Sequence, residues 1–102
     1  MNLIEFERDK ERIIDFLSQS IGLSRKDILK ESLIAFMEKK LKEIKSQIYE
    51  ISSKYGVNSI EEFEKLYEKG LIEEKTSWKD YQTLDHLEFK KEQIEKILEK
   101  IK

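Results

Sequence analysis

Apolar side chains recur along this chain in steps of three and four, the spacing that gathers them on one face of an α-helix. The clearest series is Ile34, Met37, Leu41, Ile44, Ile48, Ile51 and Tyr55, which predicts a coiled-coil-like seam of about three heptads. Ile28, Leu29, Leu33 and Phe36 add a second apolar edge to its first turns, so that end is expected to be buried over a wider arc. A second stripe follows at Leu84, Leu87, Ile94, Leu98 and Ile101, interrupted by Lys91, whose long stem can carry its ammonium out to water. Two stripes of similar length imply a pairing, either an antiparallel hairpin within one chain or a seam between two chains. Between them lies a shorter helical pattern with Phe63, Leu66 and Tyr67 on one side. At the start of the chain Ile4 and Phe6 alternate with Glu5 and Glu7, which fits a short strand or a helix that begins earlier.

Helix starts are marked by a serine with an acid three residues on: Ser24 with Asp27, Ser59 with Glu62, and Ser77 with Asp80. The hydroxyl can accept an orphan amide hydrogen of the first turn, and the acid can return a bond to the serine amide. Gly22, Gly56 and Gly70 stand where a left-handed residue would close the preceding helix. These signals predict helices near residues 8–20, 25–54, 60–69 and 78–101, with Leu71 to Ser77 as the loosest connection. The fold class is mainly α. One helical domain over 1–102 is expected, with 1–56 as a core or dimerisation half and 57–102 as a partner-binding half.

Composition sharpens this picture. Of 102 residues, 41% are charged and 38% hydrophobic, with no Pro and three Gly, as suits long helices with solvated outer faces. The formal net charge of −2 gives no general attraction to nucleic acid or an anionic membrane. Cys is absent, which excludes disulfides and thiolate chemistry. Met1 to Arg12 has no apolar run of signal-peptide length, and the longest such run, Leu33 to Met37, is far too short to span a bilayer. A cytoplasmic location is therefore expected.

Candidate chemistry is sparse. A single His and no nucleophile turn argue against an enzyme, and no cofactor is implied. Asp85, His86 and Glu88, with Asp80 upstream, come nearest to a metal set, but they read better as a solvated polar face. Lys39, Lys40, Lys42 and Lys45 are interleaved with Glu38 and Glu43, as on an exposed helix face. Trp78 and Tyr81, with Phe63 and Tyr67, form the densest aromatic group; such rings serve either as core or as anchors for a protein partner. The seam from Ile34 through Met37, Leu41, Ile44 and Ile48 to Ile51 is the expected dimer contact.

The stretch Gly22-Leu23-Ser24-Arg25 and the amphipathic run on to Leu33 resemble the turn and second helix of ribbon-helix-helix proteins, a dimeric DNA-binding fold. That resemblance implies a strand over Met1–Arg8 and a first helix over Asp9–Ser20. It would also turn Glu5 and Glu7 toward the phosphates with nothing basic beside them, which weighs against DNA binding. The second half, from Tyr55-Gly56 through the acidic segment at Glu61 to Trp78 and Tyr81, is similar to the tails of small prokaryotic antitoxins. This likeness implies a protein that binds and neutralises a toxin protein, with the tail as the contact region, while the uncovered seam of the long helix predicts a homodimer. A DNA-binding repressor and a structural helical scaffold are the alternative expectations.

Overall fold

A computed structural model describes all 102 residues, and every regular element in it is an α-helix. The order is α1 (Leu3–Ile21), α2 (Arg25–Tyr55), α3 (Ile60–Glu68) and α4 (Glu74–Ile101). The chain divides into two units, Met1–Phe36 and Met37–Lys102.

In the first unit the expected strand over Met1–Arg8 is replaced by the opening turns of α1, and the ribbon of the ribbon-helix-helix fold is absent. Asn2 explains the difference. Its side-chain oxygen accepts the Glu5 amide hydrogen at 2.8 Å, and its amide nitrogen reaches the Glu5 carboxylate at 3.4 Å. A helix closes its own backbone bonds, whereas a strand here would need a partner for every second group. Gly22 ends α1 in the left-handed region at φ +81°, its amide bonded to the Ser18 carbonyl at 2.9 Å. Ser24 then accepts the Asp27 amide hydrogen at 3.0 Å and opens α2, as the serine spacing predicts. Arg25 donates back to the carboxylates of Glu11 and Asp15, tying the two helices together.

In the second unit the two apolar stripes pair within one chain. Lys102 meets Glu38 at 2.8 Å near one end and Lys54 meets Asp80 at 2.9 Å near the other, so α2 and α4 run antiparallel. Ile44, Leu87 and Leu98 are buried, while Ile48 and Ile51 pack against a core of Val57, Phe63 and Leu84. Lys91 is half-buried in its stripe, with its ammonium 3.7 Å from Glu95. After α2 the chain turns at Gly56, φ +65°, and the Val57 amide bonds the Ser52 carbonyl at 3.0 Å. This closure carries the Val57 side chain into the core beside Ile51. Ser59 caps α3 through the Glu62 amide at 3.2 Å, while the Glu62 carboxylate accepts from the Asn58 amide.

The last helix starts earlier than Ser77 predicts. Ser77 lies inside its first turns, buried, donating to the Glu73 carbonyl at 2.6 Å and meeting the Tyr67 hydroxyl at 2.7 Å. A buried serine bonded backward to the fourth preceding carbonyl is a helix-interior residue and caps nothing. Glu73 takes the cap position without a side-chain bond.

Asp80 is the polar link between α2 and α4, accepting Lys54 at 2.9 Å and the Tyr55 hydroxyl at 2.5 Å. The Lys54 hydrogen bond first, and the Tyr55 bond second, hold its carboxyl below the ordinary value of 3.8. A depressed carboxyl contributes stability that is present above the unfolded-state pKa and is lost as pH falls through the folded value. Asp80→Ala is expected to cost about 1–2 kcal/mol at neutral pH. The gap to the wild type should narrow in acid, as read by urea unfolding across a pH series.

Candidate functional site

Of the four aromatic residues singled out in the sequence, Phe63 is 0% exposed and forms the hub of the second unit. Its ring centroid lies 4.6 Å from that of Tyr55 and 5.5 Å from those of Tyr67 and Tyr81. It therefore packs the core and presents nothing to a partner. Tyr67 and Tyr81 are half-buried, edge to face at 5.8 Å. Trp78 remains 45% exposed and stacks on Tyr81 at 5.6 Å with an interplanar angle of 17°.

The hydroxyls of both tyrosines are committed. Because the Ser77 proton goes to the Glu73 carbonyl, Tyr67 donates to Ser77 at 2.7 Å. Tyr81 donates to the Glu64 carboxylate at 2.6 Å, and that bond, with burial second, pushes its pKa up to about 12. Both rings are thus oriented by fixed polar ends. Beside them opens a cavity of about 330 Å³ lined by Glu64, Tyr67, Glu68, Glu74, Trp78 and Tyr81. Its lining is flat rings beside carboxylates. It holds no nucleophile set beside a base.

The first unit offers a different surface. No residue of α1 is buried, and Leu3, Ile4, Phe6, Phe16 and Ile21 stand exposed, as do Leu29 and Leu33 at the start of α2. A second cavity of about 300 Å³, lined mainly by Leu17, Ile21, Leu23, Ile28 and Ala35, lies on this unit. Of the seam residues, Ile34, Met37 and Leu41 are half-buried, whereas Ile44 is buried and Ile48 and Ile51 pack on the core of the chain itself. The apolar edge of Leu29 and Leu33, expected to be buried, is instead left in solvent. Phe16 and Ile21 were not singled out from the sequence; they lie five residues apart, off one another's helix face, so no periodic signal marks them.

Asp85 and His86 are exposed, and Glu88 is half-buried, its carboxyl raised first by burial and then by the charge of Glu61. No three His, Asp or Glu side chains converge to hold a metal ion. Lys39, Lys42 and Lys45 are exposed, and Lys40 pairs with Glu43 at 3.3 Å. No helix is long and apolar enough to cross a membrane.

Residues 4–102 match the model of the Uncharacterized protein MJ0235 family, and the chain belongs to that family. No curated protein and no solved structure matches it.

Proposed function

We propose that this member of the MJ0235 family works without catalysis, by assembling with other polypeptides through its helix faces, and that its role is antitoxin-like. Two copies pair through the apolar surface of α1 and the first turns of α2, and the assembled protein binds and occludes a partner toxin. The carrying observation is the first unit, which buries no side chain yet leaves a series of large apolar residues in solvent. A helical pair of that size has too little interior to stabilise itself, since units below about 40 residues generally need help from metals, disulfides or association. Many large apolar side chains left in solvent on one unit favour contact with another chain.

The toxin-directed part of the reading draws on the likeness of the Tyr55–Tyr81 stretch to antitoxin tails, with Trp78 as the accessible anchor. The test is co-expression. The product of the neighbouring reading frame should arrest growth when expressed alone and be harmless when this protein is co-expressed and co-elutes with it. A harmless neighbour, or arrest that this protein does not relieve, overturns the antitoxin role.

A further inference from the structure

The cavity beside Trp78 has a composition that selects the chemistry of its occupant. Half of its lining residues are aromatic, half are glutamates, and none is basic or aliphatic. An apolar side chain would fill such a cavity at the cost of stripping water from three carboxylates that it could not pair. An anion would be repelled by all three. A cation gains from both halves, because the face of an indole or phenol ring attracts positive charge and the carboxylates accept its hydrogen bonds.

The carboxylates are available for this. Glu68 and Glu74 enter no salt bridge or hydrogen bond within the chain, and Glu64 is engaged only by the neutral Tyr81 hydroxyl. The rings are held in place independently of any ligand. Tyr67 is fixed through Ser77 and Tyr81 through Glu64, and Trp78 lies nearly parallel on Tyr81. A site whose walls are already ordered loses little entropy on binding.

We infer that the cavity formed by Tyr67, Trp78 and Tyr81 under Glu64, Glu68 and Glu74 receives an arginine side chain from a basic segment of a partner protein. Arginine is favoured over lysine by shape. Its planar guanidinium stacks on a ring while its edge donates to two carboxylates at once, whereas an ammonium is a compact, strongly hydrated charge. The inference rests on the reading of this chain as a protein-binding one, and gives that partner a chemical signature at its point of contact.

Trp78 is the sole tryptophan, so its emission reports on the cavity in the intact chain. The probes are three capped tripeptides, acetyl-Gly-Arg-Gly-amide and its lysine and citrulline counterparts, titrated at low salt. The arginine peptide should change the emission saturably. The citrulline peptide, of the same shape but uncharged, should bind at least about tenfold more weakly, the factor expected when a charge-assisted pair is lost. Glu68→Gln with Glu74→Gln should weaken arginine binding by a similar factor and leave the melting transition in place, since both side chains are exposed.

Absence of a saturable change, equal binding of arginine and citrulline, or an unaffected double variant overturns the assignment. Lysine binding as tightly as arginine overturns the guanidinium. Because the probes are free peptides, the outcome does not depend on assembly of the first unit. Failed growth rescue with intact peptide binding sinks only the antitoxin role, and the reverse result sinks only the arginine site.

Discussion

Phe63→Ala is expected to destabilise the Met37–Lys102 unit by about 3–5 kcal/mol, the range for removing a buried phenyl ring. Domains of ordinary stability have only about 5–15 kcal/mol in total, so a large share of it is lost. The effect is large because one ring joins three elements. Phe63 contacts Tyr55 at the end of α2, Tyr67 on its own helix and Tyr81 on α4, and it shares the core with Val57 and Leu84. Helix α3 has only 9 residues and cannot persist on its own hydrogen bonds. Urea unfolding followed by helical circular dichroism reads the loss. Trp78→Ala, removing a ring that is nearly half in water, should shift the same curve far less. Equal shifts for the two variants would mean that the aromatic group has no division between core and surface.

Leu29→Asp combined with Leu33→Asp is expected to weaken self-association by about thirtyfold or more, the factor that corresponds to losing 2 kcal/mol at a central apolar contact. Both side chains are exposed in the single chain, so the substitutions create no cavity there. Their intramolecular cost is the lower helix propensity of Asp, about 0.5 kcal/mol each. In an assembled interface the same carboxylates would be stripped of water without a partner. Light scattering on dilution reads the association, and circular dichroism shows whether helix content is retained. A variant that associates as tightly as the wild type places the assembly surface elsewhere.

Much of this architecture is legible in the sequence because helices announce themselves locally. The three-four spacing from Ile34 to Tyr55 and the serine caps at Ser24 and Ser59 were sufficient to locate α2 and α3. At the N-terminus the alternation of Ile4 and Phe6 leaves strand and helix both open. Asn2 and Glu5, which repeat the same cap-and-acid spacing, decide it for the helix. Ser77 shows the opposite limit. Ser77 and Asp80 have the letters of a cap, but whether that hydroxyl points forward to an amide or backward to a carbonyl depends on Tyr67 arriving from α3.

The pairing of the two long stripes was illegible for a related reason: the same heptads serve equally in a hairpin and in a dimer, and the ion pairs at Glu38 and Asp80, with Ile48 and Ile51 packed on the core around Leu84, distinguish them. The aromatic site was half legible. Spacing of three puts Trp78 and Tyr81 on one face, but which ring is covered is decided by α3, which buries Phe63 and leaves Trp78 at the rim.

The claim that the exposed apolar surface of the first unit is an assembly surface is tested most directly by equilibrium sedimentation of the intact wild-type chain over a wide concentration range. The expected result is a mass of two chains at high concentration, falling toward that of one chain on dilution. A single-chain mass at every concentration would contradict it.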